Sequence, residues 1–450
     1  MAPTAQLPIV AIVGRPNVGK STLFNRYAGR RRALTLDEPG LTRDRIAEEI
    51  EVGGRRVLIV DTAGLDTGAD EGLPAAIQAQ ARSAIAGADA ILFLVDGKAG
   101  LLPQDEELAR ALRRAAKPIT LVVNKIDQRE HAPRLAEFHR LGLERTRAAS
   151  AEHGSGAWDA LEELVALLPE TTPPATPAAG EGVRIAVVGR PNVGKSSLVN
   201  RLVGEDRVVV SDQPGTTRDA IDVRVVDGDE RILLVDTAGV RRAGRRTRSA
   251  ERGSALMTLR ALERANVALV VVDAAEGATD QDARVASLAL DRGCAVGVLA
   301  NKWDLVTPRG EAHANRVLAE IHRQLRFLGA APVLTVSAKT GAGLGRVLPL
   351  ARRLAAASER RIGTSELNRW LQKTVALHDP AMAQRGPRRK PVRFYYGTQT
   401  GTRPPTFLLF CSEPASVQSS YRRFLENQLR ESFDLAGTPV RLRLRARPGR

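Results

Sequence analysis

Eight residues, Gly14-Arg15-Pro16-Asn17-Val18-Gly19-Lys20-Ser21, return letter for letter as Gly189-Arg190-Pro191-Asn192-Val193-Gly194-Lys195-Ser196 in this 450-residue chain. Both copies fit the pattern G-x-x-x-x-G-K-[ST], a loop whose backbone N–H groups wrap the phosphates of a nucleotide. An apolar run precedes each loop (Ile9–Val13; Ile185–Val188) and a helical pattern opens after it (Leu23, Phe24; Leu198, Val199). The glycines allow a sharp strand-to-helix turn, and the helix N-terminus aims its partial positive charge at the phosphates. In this pattern Lys20 and Lys195 reach the β/γ-phosphates, and Ser21 and Ser196 hold Mg²⁺. One match could arise by chance; two identical copies, each between strand and helix, do not.

Further motifs repeat with the loop. Asp61-Thr62-Ala63-Gly64 recurs 175 positions later as Asp236-Thr237-Ala238-Gly239, the same shift as the loops. A carboxylate ending an apolar strand there can hold the Mg²⁺ shell, while the glycine N–H senses the γ-phosphate. Asn124-Lys125-Ile126-Asp127 and Asn301-Lys302-Trp303-Asp304 each follow an apolar strand. An Asp there accepts from the N1–H and 2-amino group of guanine, donors that adenine lacks, so the motif selects GTP; each such bond contributes about 1.5–3 kcal/mol. Ser150-Ala151 and Ser337-Ala338-Lys339 would close the base pocket, the first lacking the Lys of the second. Thr42 and Thr217, in Pro-Gly-Leu-Thr-Arg-Asp and Pro-Gly-Thr-Thr-Arg-Asp, can join Mg²⁺ when the γ-phosphate is present, which makes an order–disorder switch.

Between the motifs, unbroken apolar strands alternate with amphipathic helices, which reads as a parallel sheet covered on both faces. The stretch from Ile46 to Val60, with Gly53-Gly54 at its middle, reads as an antiparallel edge hairpin. Residues 1–168 form a first domain, 169–182 a Pro-rich linker, 183–357 a second domain of the same kind, and 358–450 a small α+β domain. In the last, Thr364 or Ser365 can N-cap a helix carrying Leu367, Trp370, Leu371 and Val375. Strands follow at Val392–Tyr396 and Thr406–Cys411, then a helix with Tyr421, Phe424, Leu425 and Leu429, then an apolar/basic alternation from Val440.

The formal charge of +16 comes from 67 basic residues, of which only nine are Lys. Either the arginines are spread over a solvated surface, or a polyanion partner rewards clustered guanidinium groups. No apolar run approaches the ~20 residues of a membrane span, and the N-terminus lacks a charged leader. Cys294 and Cys411 lie in apolar runs, as buried thiols rather than a disulfide or metal site, which fits a cytoplasmic protein. The six histidines are scattered without ligand spacing, and Trp158, Trp303 and Trp370 read as packing residues.

Two such motif sets in tandem, followed by a small α+β domain, resemble the Der (EngA) family of bacterial double GTPases, which act in assembly of the large (50S) ribosomal subunit. The resemblance covers essentially the whole chain. It implies two Ras-like P-loop GTPase domains, a KH-like third domain, and association with the pre-50S subunit or its ribosomal RNA; the chain is expected to be a monomer. Leu65 and Val240 stand where many GTPases place a water-orienting Gln, so each domain alone should be slow, about 10⁻⁴–10⁻² s⁻¹. Related GTPases with this loop use K⁺, coordinated in part by the loop Asn. Here that implies Asn17 and Asn192, whose other reading is turn stabilisation, working beside Lys20 and Lys195. Arg241 to Arg252 holds six arginines that are either solvated or shown to RNA in one nucleotide state. RNA-clamping KH domains carry G-x-x-G between two helices; none occurs at 358–450, and the nearest glycines, Gly397–Gly401, are expected between strands. Packing against a GTPase domain is therefore the expected role of the third domain. The rival functional reading is a nucleotide-gated binding module with one mainly structural site. A translation or tRNA-modification GTPase would carry one such domain rather than two.

Overall fold

The structure is a computed structural model, described here for residues 7–32, 46–62, 81–126, 135–169, 182–204, 222–227, 230–235, 255–378 and 392–447. Residues 170–181 of the expected linker and the segments holding Thr42 and Thr217 lie outside these residues. The chain divides into two compact units, one built on residues 2–177, the other on 178–253 and 258–450.

The first unit is a six-stranded sheet in the order β2-β3-β1-β4-β5-β6. Its central strand β1 (Ile9–Val13) is buried along its whole length. It runs parallel to β3 (Arg55–Asp61) on one side and β4 (Ala90–Asp96) on the other. β5 (Ile119–Asn124) and β6 (Thr146–Ala148) extend the parallel part. β2 (Ala47–Val52) alone is antiparallel, joined to β3 across Gly53 and Gly54, whose φ of 55° and 75° suit a two-residue turn. The expected edge hairpin is thus present. Helix α1 (Lys20–Arg32) follows the first loop, and α2 (Pro103–Leu112) and α3 (Ala157–Ala166) follow later strands. α3 buries Ala157, Ala160, Leu161, Leu164 and Val165, the single stripe that 3.6-residue periodicity produces.

The second unit begins with the same plan, β8-β9-β7-β10-β11-β12. β7 (Val183–Val188) is the partner of β9 (Glu230–Leu234) and β10 (Val267–Asp273), and β8 (Val223–Asp227) is the antiparallel edge. β11 (Ala295–Asn301) and β12 (Val333–Thr335) complete it. Its helices include α4 (Lys195–Gly204), α5 (Asp280–Asp291), α6 (Glu311–Gln324) and α7 (Val347–Glu359). Separate buried clusters lie on the two faces of this sheet, one around Leu198, Leu269 and Leu354, the other around Val270, Val298 and Ile321.

The C-terminal elements are α8 (Thr364–Leu377), β13 (Phe394–Gly401), β14 (Thr406–Cys411), α9 (Ser419–Ser432) and β15 (Arg441–Ala446), the expected α-β-β-α-β order. Leu367, Leu371, Phe407, Leu409, Leu425 and Leu429 form their core. Two details differ from expectation. The N-cap of α8 is Gly363, in extended conformation and with no side-chain cap, not Thr364 or Ser365. Gly397–Gly401 is not a loop between strands but the second half of β13, because a Cβ at Gly397 would sit 2.4 Å from the Leu409 side chain on the next strand. Only glycine lets the two strands and α8 close up there.

This small domain is seated on the GTPase-like part of its unit. Val296 N–H of β11 donates to Gly437 O at 2.7 Å, and Arg403 N–H donates to Ser358 O, near the end of α7, at 3.0 Å. Gly437 has φ 71°, and an added Cβ would meet Val296 O at 2.5 Å and Leu354 Cδ2 at 2.9 Å. Packing against the neighbouring domain, expected from the missing G-x-x-G, is what the structure shows. Cys294 and Cys411 are buried free thiols, and burial pushes them up to about 12 and about 11.

Candidate functional site: two phosphate loops and their base pockets

Each repeated loop leaves the C-terminal end of the central strand of its sheet and turns into a helix. Two glycines make the turn possible. A Cβ at Gly14 would lie 2.4 Å from Leu94 O, and one at Gly19 (φ 101°) 2.3 Å from Asn124 Nδ2; Gly189 and Gly194 meet Val271 O and Asn301 Nδ2 in the same way. Asn17 and Asn192 adopt left-handed conformations, φ 65° and 64°, which Asn tolerates better than most residues. That supports the turn-stabilising reading of both, and it leaves their side chains exposed.

Lys20 folds back over its loop, donating from Nζ to Gly14 O and Arg15 O, both at 2.7 Å. Burial draws its ammonium down to about 8, against the pull of Asp61 in the other direction and with a further push from Arg15. Such a charge, bonded to two backbone carbonyls and attracted by the Asp61 carboxylate, suits a dense anion. Ser21 Oγ donates to Asp61 Oδ2 at 2.6 Å, so the hydroxyl and carboxylate expected around Mg²⁺ are neighbours at the mouth of the loop. Thr62 turns inward and donates to Ile12 O at 2.7 Å. In the second unit Lys195 donates to Arg190 O at 2.6 Å. Ala63, Gly64, Leu65, Asp127 and the stretch Asp236-Thr237-Ala238-Gly239-Val240 lie outside the described residues, as does the Arg241–Arg252 cluster.

The base-side motifs tie three loops together through one buried amide. Asn124 Nδ2 donates to Val18 O at 2.8 Å, and its Oδ1 accepts from Ala151 N–H at 2.8 Å. Asn301 repeats this with Val193 O at 2.8 Å and Ala338 N–H at 2.9 Å. The loop Asn thus bridges the phosphate loop and the Ser-Ala turn, so its chemistry is positional. In the second unit Ser337 Oγ donates to Asp304 Oδ1 at 2.6 Å, and Thr340 N–H donates to Ser337 Oγ at 3.1 Å. The carboxylate is therefore aimed before any base arrives. Ile126 and Trp303 give their N–H to Ala149 O and Val336 O, the residues that lead from β6 and β12 into the Ser-Ala turns, at 3.1 Å in each case. Ser150 sets its own turn, accepting from His153 N–H at 3.2 Å, and Lys339 is exposed beside Ala338.

Three pairs of equivalent residues act here that the sequence reading did not single out: Asp96 and Asp273, Asp105 and Asp282, Arg26 and Arg201. Lys125 Nζ lies 2.6 Å from Asp96 Oδ2 and 3.0 Å from Asn17 O, and Lys302 lies 2.5 Å from Asp273. Burial works against the charge on Asp96, but the bond from Lys125 and two backbone N–H groups outweigh it and lower its pKa. Arg15 pairs at 3.2 Å with fully buried Asp105, and Arg190 at 3.3 Å with fully buried Asp282. Burial raises the pKa of both carboxyls, partly countered by these arginines. Arg26 Nε donates to Ala151 O at 2.5 Å and Arg201 to Thr340 O at 3.4 Å, bracing each Ser-Ala turn. The available signal was recurrence. Arg26 and Arg201 share the loops' shift of 175, and both Asp pairs share the shift of 177 that separates Asn124 from Asn301.

Comparison with known proteins agrees with this geometry. The family model described as "50S ribosome-binding GTPase" matches residues 9–125 and 184–302, and that described as "KH-domain-like of EngA bacterial GTPase enzymes, C-terminal" matches 361–445. The chain is 46% identical to GTPase Der of Moorella thermoacetica over 97% of this chain and 98% of that protein. It is 44% identical to GTPase Der of Geobacter metallireducens (99% and 100% covered) and 47% identical to that of Symbiobacterium thermophilum (98% and 92%). Two Ras-like P-loop GTPase domains and a KH-like domain, matched from end to end, place the chain in the GTPase Der family, and it is a GTP-binding GTPase.

Proposed function

We propose that the chain carries two working nucleotide sites and uses them to switch its contacts with a maturing large ribosomal subunit in the bacterial cytoplasm. The domains would be 1–168 and 183–357, joined by the Pro-rich segment 169–182, with the KH-like domain at 358–450. The observation that carries this reading is the doubled lock, in which Asn124 and Asn301 each fasten a phosphate loop to a Ser-Ala turn with matching bonds. A site kept only for structure would not need its base pocket built twice.

In each site the loop N–H groups and Lys20 or Lys195 would bind the β/γ-phosphates. Asp127 or Asp304 would read guanine, with Ser150 or Ser337 setting the pocket. The family implies a Mg²⁺-dependent site, and the Ser21–Asp61 pair fits one: a hydroxyl and a carboxylate 2.6 Å apart beside the Lys20 ammonium. Ser21, Asp61 and Thr42 would hold the ion in the first site, and Ser196, Asp236 and Thr217 in the second. When bound, Mg²⁺ neutralises charge between the β- and γ-phosphates. Leu65 and Val240 cannot orient water, so hydrolysis would draw on K⁺ near Asn17 and Asn192. No helix among the described residues is long and apolar enough to cross a membrane.

The deciding experiment is sedimentation of the protein with purified ribosomal subunits in GDP and in a non-hydrolysable GTP analogue. Co-sedimentation with the large subunit in one nucleotide only is the expected result; equal or absent binding in both overturns the reading.

A further inference from the structure

The sheet of the KH-like domain has two unlike faces. On its central strand β14, Phe407, Leu409 and Cys411 are fully buried, while Leu408 and Phe410 between them are partly open to solvent. Strand pairing carries that open face across the sheet. Tyr396, Phe410 and Arg445 form one row, and Thr398, Leu408 and Arg443 the next. Residues opposite one another in a sheet share a face. Tyr396 is 40% exposed, Arg443 and Arg445 are exposed, and the Tyr396 and Phe410 rings stack with centroids 4.5 Å apart and 22° between planes. Neither row contains a carboxylate.

We propose that this face binds a single-stranded RNA segment, its bases on the Tyr396–Phe410 pair and its phosphates on Arg443 and Arg445. The proposal takes its partner class from the ribosome-directed reading above and adds the place and the strandedness. Aromatic rings on an open sheet accept base faces of any identity, and flanking arginines track the backbone. A duplex hides its base faces, so the rings could not serve it. The two arginines, alternate residues of one strand, lie about 6.7 Å apart along it, so two phosphates of an extended strand can each meet one. The domain lacks G-x-x-G between its helices, so the helical side that RNA-clamping KH domains use has no clamp.

The test uses the full chain. Fluorescence anisotropy would follow binding of a labelled 12-nucleotide RNA of mixed sequence, alone and annealed to its complement, alongside subunit sedimentation. Wild type should prefer the single strand. Tyr396→Leu with Phe410→Leu, which keeps apolar volume, should weaken binding about tenfold with an unchanged salt slope. Arg443→Gln with Arg445→Gln should lower the slope of log affinity against log salt by roughly 1.4 for two lost single-strand contacts. GTP turnover should not change. If the leucine variant fails to fold, the exposed arginine pair decides alone. Equal oligonucleotide binding by wild type and variants overturns the inference even if subunit binding stays nucleotide-dependent, which leaves the ribosomal reading standing. Lost subunit binding with intact oligonucleotide affinity means a protein partner and also overturns it, as does equal binding of duplex and single strand. Lost oligonucleotide binding in a chain that never sediments with subunits upholds the inference and sinks the ribosomal reading.

Discussion

Asp304 is held at one oxygen by Ser337, 2.6 Å away, and a carboxylate has about four lone-pair sites, so room remains for two guanine donors. Asp304→Asn should weaken GTP at the second site by roughly a hundredfold, from loss of charged bonds contributing about 1.5–3 kcal/mol each. The same variant should gain xanthosine triphosphate, whose 2-oxo group suits the Asn amide; unchanged GTP affinity would refute the guanine assignment. Lys20 supports a second prediction. Its folded pKa of about 8 lies below its ordinary 10.5, so the unfolded chain binds more protons between those values and stability from this group rises with pH there. Nucleotide binding runs the other way, because only the ammonium attracts phosphate. Titration of the first site, with the second silenced by Asp304→Asn, should give constant GTP affinity below pH 8 and a loss approaching tenfold per pH unit above it; a flat profile to pH 9.5 would show that Lys20 keeps its proton. A third concerns the cation: replacing Na⁺ by K⁺ at equal ionic strength should accelerate hydrolysis severalfold, with Asn17→Ala and Asn192→Ala each blunting it in one domain. Equal rates in both salts would eliminate K⁺.

Strand ends supply the functional residues, since β3, β4, β5, β10 and β11 finish at Asp61, Asp96, Asn124, Asp273 and Asn301. Unpairing Asn124 would leave Val18 O and Ala151 N–H buried without partners, about 1–3 kcal/mol for each unsatisfied group. Asn124→Ala should therefore lower the melting temperature of the first domain by several degrees and its GTP affinity at least tenfold, as calorimetry and nucleotide titration would register; the second site should be untouched. The phosphate loops and the Asn-Lys-x-Asp motifs were readable in the sequence because their residues are contiguous and repeated. Asp96 was not, because its partner Lys125 is far along the chain and any strand-ending Asp looks the same beforehand. Asp105 has the same problem with Arg15. Gly397 misled for the opposite reason: a glycine among Thr and Gln resembles a loop, while here it serves a strand pressed against Leu409. Thr364 and Ser365 offered better caps than Gly363, but tertiary packing of Leu367 fixed where α8 begins.

At the scale of the whole molecule, the small domain meets its neighbour at Gly437, where any side chain collides with Val296 O and Leu354. Gly437→Ala should loosen that seat. Differential scanning calorimetry should then resolve a separate, earlier transition for the C-terminal domain, while GTP affinity of the first site stays at its wild-type value. A single cooperative transition at the original temperature would mean that the seat tolerates the methyl group. The seat also has a mechanical meaning. Val296 is the second residue of β11, and Asn301, which locks the second phosphate loop, is its last. The strand is thus a stiff rod gripped by the small domain at one end and by the guanine pocket at the other. A load applied to the sheet face of the small domain would be felt along that rod as strain on nucleotide binding, so cargo that pulls could shorten the lifetime of GTP without touching the site.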